Sequence, residues 1–293
     1  MPIVPMTELL EAAERGSYAV GCYNAVSIEM IRGVLTGAER ARAPVILCHA
    51  QLHFGLVPVE TISAALCDLA EHATVPVAIL LDHGEDLDTV ERTIGLGFNS
   101  VMIDGSKLPY DENLFLTRRV TARAHELGAS VEGELGRVTR PRSAGAMGDD
   151  EDDAATKSEL YTDVEQAVDF VSKTGIDALA AAFGTAHGVY QQEPKIDFSR
   201  ISELRQATGV PIVMHGGSGL TASQFRDSVR AGVRKVNYYS GMSLNAVSKL
   251  RTLLCESGKE MKVFLHQLVE PVVEAVAEEV ERSCGWFGCA GRE

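Results

Sequence analysis

The feature that most constrains the fold is a repeated alternation of short apolar runs with amphipathic stretches. Eight apolar runs occur along the chain, at residues 18–25, 43–50, 75–84, 100–106, 129–136, 178–188, 211–219 and 235–241. Each run is almost continuously hydrophobic, which is typical of parallel strands that are covered on both faces. Segments with helical periodicity, such as residues 27–42 and 113–128, separate the runs. This alternation predicts an α/β fold, a (β/α)8 barrel of the TIM type.

The length of the chain fits this architecture. A (β/α)8 barrel uses about 250 residues as one domain, and the chain has 293. We therefore predict one barrel domain over residues 1–293, with a long loop after the fifth strand and extra helices at the C-terminal end. Pro271 lies in the last helical segment, where it predicts a kink.

Charge and composition exclude several classes of partner. The chain carries 27 basic and 41 acidic side chains, a net charge of −14, which argues against binding to nucleic acid or to an anionic membrane. No apolar run reaches the ~18 residues of a membrane span. The N-terminal residues do not resemble a signal peptide, and the 6 cysteines are too few for a disulfide scaffold. We expect a cytoplasmic protein with reduced thiols.

Residues 137–160 interrupt the alternation. They form a long polar stretch after the fifth apolar run, with consecutive acids from Asp149 to Asp153. Long loops on the active face of a barrel often act as lids. A passive acidic insertion on the surface is the alternative interpretation, and the sequence leaves both open.

Three histidines stand at matching positions near the ends of predicted strands. His83, His187 and His215 belong to the third, sixth and seventh runs, and the carboxyl ends of barrel strands surround one mouth. Neutral imidazole is a common zinc ligand, and three protein ligands with an open position describe a catalytic zinc site. The pattern therefore predicts such a site. We interpret the remaining histidines as core or surface residues: His49, His53, His72, His125 and His266.

Asp82 immediately precedes His83. Adjacent strand residues point to opposite faces, so both can face the mouth only if the backbone turns at the strand end, before Gly84. A carboxylate beside a metal-bound substrate would then act as an acid or base. The alternative role is to cap the following helix.

The glycine-rich segment 215–219 precedes a predicted helix in which Thr221 and Gln224 have capping-box spacing. Backbone N–H groups at a helix start bind anions, and the loops after strands seven and eight are a frequent phosphate site in these barrels. Ser218 and Ser240 would add hydroxyl donors. A dinucleotide site is excluded because the position that should hold an acid is occupied by Asn237.

Several of these segments together resemble one enzyme family, the class II, zinc-dependent ketose-bisphosphate aldolases of the fructose- and tagatose-bisphosphate type. The matching motifs occur in order, at residues 23–24 (YN), 81–83 (LDH), 101–106 (VMIDGS), 131–136 (VEGELG), 184–188 (GTAHG), 215–219 (HGGSG) and 235–237 (KVN).

The resemblance implies roles for individual residues. It implies that His83, His187 and His215 bind zinc, and that Asp82 is the acid/base at the aldehyde-side hydroxyl. Asp104 and Glu134 would hold an alternative metal position or support the ligands. Six further residues would bind the substrate and its phosphate: Asn24, Gly188, Gly216, Ser218, Asn237 and Ser240.

The implied reaction is reversible cleavage of a ketose phosphate to dihydroxyacetone phosphate and an aldehyde, through a zinc-stabilised enediolate. The implied cofactor is Zn2+, with a monovalent cation as an optional second one. The implied partner is a small sugar phosphate, and the implied assembly is a homodimer or homotetramer. A lysine Schiff base is the other route to the same chemistry. The sequence favours the metal because no predicted strand ends in lysine.

The chain also departs from the family pattern. Glu151 is our candidate for the loop carboxylate that protonates the enediolate in the family. Gln191 and Gln192 stand where many members have a lysine near the phosphate, and Tyr239 is unusual after Asn237. The alternatives left open are an aldolase acting on a different ketose, a partner subunit of an aldolase, and a zinc hydrolase on the same barrel.

Overall fold

Eight parallel strands form a closed barrel in the computed structural model, which describes residues 3–136, 161–186, 194–256 and 263–293. Strands β1 to β8 span Val20–Asn24, Val45–Ala50, Val77–Gly84, Ser100–Ile103, Ser130–Leu135, Ala178–Ala181, Ile212–Met214 and Val233–Tyr238. Each strand pairs in parallel with the next, and β8 pairs with β1. The predicted (β/α)8 architecture is confirmed.

Helices follow the strands and surround the barrel. Helices α1 to α10 span Met6–Gly16, Ile28–Ala41, Val59–Glu71, Leu87–Gly95, Tyr110–Glu126, Val164–Thr174, Phe198–Thr208, Ala222–Ala231, Ser240–Glu256 and Val269–Phe287. Short 3-10 helices occupy Gln51–His53 and Leu265–Leu268. The strands are almost entirely buried, because helices cover their outer face and side chains fill the barrel interior.

Side-chain caps fix the starts of five of these helices. Each capping residue accepts a hydrogen bond from the backbone N–H three positions later: Ser27, Asp86, Asp163, Asp197 and Thr221. Such caps satisfy N–H groups that have no partner inside the helix. The predicted capping box of Thr221 and Gln224 is present.

Helix α1 closes the amino-terminal end of the barrel. Just before it, the N–H of Val4 donates to the carbonyl of Val77 at 2.9 Å, and Asn99 Nδ2 donates to the carbonyl of Val4 at 2.7 Å. At the other end of α1, Glu14 forms ion pairs with Arg205 and Arg234. These contacts seal the end of the barrel opposite to the predicted site.

The C-terminal helix α10 packs closely against α2. A Cβ at Gly37 would lie 2.4 Å from the carbonyl oxygen of Ala277, so only glycine allows this approach. Pro271, where the sequence predicts a kink, lies in the first turn of α10, which begins at Val269. The missing N–H of proline has no cost there.

Several predicted features lie outside the described residues. These are the loop at 137–160, with Glu151 and its neighbouring acids, and the segment 187–193, with His187, Gly188, Gln191 and Gln192. Within the described ranges, none of the helices has the length and apolar character needed to cross a membrane.

Candidate active site

The polar residues of the predicted site lie at the carboxyl-terminal ends of the strands. Asp82 and His83 are near the end of β3, His215 directly follows β7, and Asn237 is the penultimate residue of β8. Catalytic groups of (β/α)8 barrels occupy this face. The barrel thereby brings Asp82 and Asn237 into hydrogen-bonding contact although 155 positions separate them in the chain.

An uncommon backbone conformation lets Asp82 and His83 face the same mouth. His83 has a φ of 48°, in the left-handed region that residues with a side chain rarely adopt. The register between β3 and β4 shifts between Leu81 and Gly84, as at a β-bulge, which redirects side chains. Single ligand atoms of Asp82, His83 and His215 lie within 4.8 Å of one another. The turn expected at this strand end is confirmed.

The two described histidines of the predicted metal site have defined orientations. His83 directs Nδ1 at the Asp104 carboxylate, 2.7 Å away, and His215 directs Nε2 at the Glu132 carboxylate, 2.9 Å away. A carboxylate only accepts, so both of these ring nitrogens carry hydrogen. The other two nitrogens, Nε2 of His83 and Nδ1 of His215, face each other at 3.2 Å.

Nearby charges control the protonation of this pair. Burial opposes the imidazolium form of His83, yet the charges of Asp82 and Asp104 and the hydrogen bond to Asp104 raise its pKa to about 10. Burial lowers the pKa of His215 despite its hydrogen bond to Glu132. Without a metal, a proton on His83 therefore bridges the two facing nitrogens. A divalent cation at this position would replace that proton.

The arrangement fits a zinc ion. Two nitrogens bound tetrahedrally to zinc at the usual lengths lie about 3.3 Å apart, close to the 3.2 Å between His83 Nε2 and His215 Nδ1. The third predicted ligand, His187, lies outside the described residues, but the preceding residue, Ala186, lies beside the loop after β7. A Cβ at Gly216 would be 2.3 Å from the carbonyl oxygen of Ala186.

Asp104 and Glu134 lie on the other side of the His83 ring. Asp104 accepts from His83 Nδ1 and from Ser106, and its carboxyl pKa is lowered by the hydrogen bond from His83 although burial raises it. Glu134 Oε2 is 3.9 Å from the same Nδ1. Burial and the nearby Asp104 charge raise the Glu134 pKa well above its usual value. In this geometry Asp104 orients the His83 ring, and direct metal binding by either carboxylate stays a prediction.

Asp82 is held by two amides. Its Oδ1 accepts from Asn237 Nδ2 at 2.9 Å, and its Oδ2 accepts from Asn24 Nδ2 at 3.4 Å. It does not cap the following helix, since Asp86 is the cap of α4. The side chain is buried, 5% exposed, and lies beside the two imidazoles, a position suited to an acid or base.

The predicted anion-binding loops meet at the same mouth. The hydroxyl of Ser218 accepts from the backbone N–H of Gly241 at 3.1 Å, which ties the loop after β7 to the start of α9 at Ser240. Gly216 has a φ of +69°, a conformation that favours glycine. Gly188, the remaining predicted phosphate contact, lies outside the described residues.

One buried ion pair beside the candidate site has no counterpart among the sequence predictions. Glu132 and Lys235 form an ion pair at 2.8 Å inside the barrel, and neither side chain has any exposed surface. Lys235 was interpreted as the first residue of its strand, but β8 begins at Val233. The sequence does carry one indication of this pair. Residues two apart on a strand point to the same face, so Glu132 shares a face with Glu134, and Lys235 shares a face with Asn237.

His53 lies closer to the candidate site than its interpretation as a core or surface residue requires. Its ring centroid is 5.3 Å from that of Tyr239. Burial lowers the pKa of His53, and the nearby negative charge of Asp82 opposes this effect. The structure thus places His53 at the mouth. By contrast, His49 is a core residue as predicted, with its ring nitrogens bonded to the carbonyls of Ala25 and Val57.

Comparison with known proteins agrees with this geometry. The family model described as fructose-bisphosphate aldolase class-II matches residues 4–292. A fructose-bisphosphate aldolase of Staphylococcus aureus (strain Mu50) is 36% identical over 298 residues, covering 100% of this chain and 99% of the relative.

Solved structures show the same architecture. The YdjI aldolase of Escherichia coli K12 superimposes with a TM-score of 0.83 at 30% identity, covering 99% of each chain. A fructose-bisphosphate aldolase of Campylobacter jejuni, at 20% identity, shares the fold with a TM-score of 0.79 over 99% of this chain and 97% of that one. The chain belongs to the class II fructose-bisphosphate aldolase family and is an aldolase, a carbon–carbon lyase.

Proposed function

We propose that the protein cleaves a ketose phosphate reversibly to dihydroxyacetone phosphate and an aldehyde, with zinc as its cofactor. The observation that carries the proposal is the pair of imidazole nitrogens facing each other at 3.2 Å, with the Asp82 carboxylate beside them. His83 and His215 would hold the cation, with His187 as the predicted third ligand. When bound, zinc supplies a Lewis acid that stabilises negative charge developing on the ketone oxygen.

Asp82 is the group that would move the first proton. As a carboxylate beside the metal ligands, it would accept the proton of the C4 hydroxyl while the C3–C4 bond breaks and the aldehyde leaves. The amides of Asn237 and Asn24 each donate to one of its oxygens. They hold the carboxylate in place.

The ketone-side phosphate would bind where the loops after β7 and β8 meet. Gly216 and Ser218 would bind it through this loop, and Ser240 starts α9, whose N-terminus favours an anion. A carboxylate in 149–153, with Glu151 as first choice, would protonate the remaining enediolate carbon. This assignment stays a prediction.

A substrate screen with zinc analysis tests the proposal. Ketose mono- and bisphosphates are incubated with the protein, dihydroxyacetone phosphate is measured with a coupled enzyme, and bound zinc is quantified. We expect cleavage of at least one ketose phosphate and about one zinc per chain. Bound zinc with ester or amide hydrolysis in place of cleavage would indicate a hydrolase. Bound zinc with neither activity would favour a non-catalytic partner subunit.

A further inference from the structure

The buried ammonium of Lys235 touches two parts of the candidate site at once. Its Nζ lies 2.8 Å from Glu132 Oε2 and 2.6 Å from Asn237 Oδ1, and the side chain is 0% exposed. Burying an ion pair without good compensation is costly, and a hydrophobic pair would often be as stable. The pair contacts His215 through Glu132 and Asn237 through Lys235, which suggests a role other than stability.

On one side, Lys235 determines the orientation of the Asn237 amide. An ammonium group only donates hydrogen bonds, so the Asn237 atom that faces it must be the oxygen. The amide nitrogen then has to face the other way, where it donates to Asp82 Oδ1 at 2.9 Å. If the amide were reversed, its NH2 group would face the ammonium and its oxygen would face the Asp82 carboxylate, and both contacts would be repulsive.

On the other side, Lys235 pairs with Glu132, a neighbour of the candidate metal ligand His215. Glu132 Oε1 accepts from His215 Nε2 at 2.9 Å. Burial raises the pKa of the Glu132 carboxyl, but the Lys235 charge and the hydrogen bond from His215 bring it down to about 2. The ionised carboxylate therefore keeps the ring hydrogen of His215 on Nε2, so that Nδ1 is the nitrogen of His215 that faces His83.

Lys235 is unsuited to act as a Schiff-base nucleophile. Burial disfavours its ammonium form, yet the neighbouring Cys22, Glu132 and Asp82 hold the pKa of Lys235 well above its usual value. A protonated amine has no electron pair with which to attack a carbonyl. Its chemistry is that of a fixed hydrogen-bond donor.

We propose that Lys235 is a positioning residue for the proton acceptor: by fixing the Asn237 amide, it presents Asp82 to the substrate hydroxyl. This inference rests on the proposed role of Asp82 in C3–C4 cleavage. It predicts that loss of Lys235 impairs cleavage more than solvent exchange of the dihydroxyacetone phosphate proton, since that exchange does not use Asp82.

The test is a double-mutant cycle between Lys235→Met and Asn237→Ala, with cleavage, proton exchange and zinc content measured for each variant. We expect Lys235→Met to lower kcat for cleavage about 10^2-fold, the effect of misplacing a catalytic group, while exchange falls several-fold less and zinc is retained. Because Lys235 acts through Asn237, the double variant should cleave no more slowly than Asn237→Ala.

Arg234→Met is the matched control. Arg234 is the adjacent residue of β8 and is also buried in an ion pair, with Glu14 at the opposite end of the barrel. The Arg234→Met variant should be less stable than the wild type, but the ratio of its cleavage rate to its proton-exchange rate should be unchanged. If Lys235→Met is unfolded by the unpaired Glu132 carboxylate, the same cycle is measured in a Glu132→Gln background.

Equal losses of cleavage and exchange, or losses that add between Lys235 and Asn237, would overturn the positioning role. Those results leave the proposed function intact as long as the wild-type enzyme cleaves a ketose phosphate. A wild-type protein with neither reaction would overturn both.

Discussion

Asp104 and His83 form a 2.7 Å hydrogen bond in which the ring Nδ1 donates to the carboxylate. This bond fixes the orientation of the His83 ring, so Nε2 is the nitrogen directed at His215. A carboxylate behind a metal-binding imidazole is a common arrangement, because it orients the ring and raises its basicity.

The first prediction concerns the metal ligands. His83→Ala, His187→Ala and His215→Ala should each remove most bound zinc and most cleavage activity, while circular dichroism shows a folded barrel. His125→Ala is the control. Its Nε2 bonds to Asp177 on the surface, and its loss should leave zinc and rate nearly unchanged. A ligand variant with full zinc and full rate would exclude that residue from the site.

The second prediction concerns Asp82. Asp82→Asn keeps the shape of the side chain but removes the proton acceptor, so cleavage should fall by ~10^2 to 10^4. Zinc content should be unchanged, and exchange of the dihydroxyacetone phosphate proton with solvent should be much less affected. Equal losses in the two reactions would mean that Asp82 serves the metal or the fold.

The third prediction concerns pH and the zinc-free protein. The pKa of His83 is raised from 6.5 to about 10, so between these values the folded chain holds a proton that the unfolded chain has released. The resulting stabilisation is complete below pH 6.5, declines as the pH rises towards 10 and is absent above it.

Thermal unfolding of chelator-treated protein between pH 6 and 10.5 provides the measurement. The Tm difference between wild type and His83→Gln should shrink as the pH rises. A constant or growing difference would contradict the assigned proton.

The fourth prediction compares two glycines. Gly216 and Gly175 have φ values of +69° and +70°, but a Cβ meets the Ala186 carbonyl at 2.3 Å only at Gly216, and nothing within 4 Å at Gly175. Both alanine variants should lose about 1–2 kcal/mol to the left-handed backbone. Gly216→Ala should lose more and should also weaken zinc binding, as measured by denaturant unfolding and metal titration. Equal behaviour of the two variants would mean that the β7 loop moves freely.

The fifth prediction concerns the acids from Asp149 to Asp153. If Glu151 protonates the enediolate carbon, Glu151→Ala should slow solvent proton exchange by at least ~10^2 with zinc unchanged. Single alanine variants of its neighbours are the controls. Normal exchange in all five variants, and after deletion of the run, would assign the proton to water or to another residue.

The barrel was predictable because its signal is repeated eight times along the chain. Apolar runs and helical segments recur in a fixed order, so an error at one boundary does not change the fold. The first helix, Met6–Gly16, was missed because it precedes the first strand and belongs to no strand–helix pair. The predicted start of β8 is two residues late because Arg234 looks unlike a strand residue, although burial and its ion pair with Glu14 accommodate it.

The site was predictable where chemistry and strand position coincide, as for Asp82, His83 and His215. It was not predictable where the contact depends on three-dimensional pairing. The ion pair of Glu132 and Lys235 joins β5 to β8 across the barrel interior. The local sequence of either strand does not show which residue of the other strand it contacts. His53 lies on a short 3-10 helix after β2, and only the fold of that loop brings it near Tyr239.

The buried ion pair also limits how this catalytic centre could be transplanted. Grafting only the residues that contact substrate or metal onto another (β/α)8 scaffold would leave Asn237 free to rotate and His215 free to change tautomer. Importing Lys235 without Glu132, or the reverse, would place a lone charge in the scaffold's interior, at a cost of about 3–5 kcal/mol. An engineer would have to move the β5 and β8 residues together, because either residue alone leaves an unpaired buried charge.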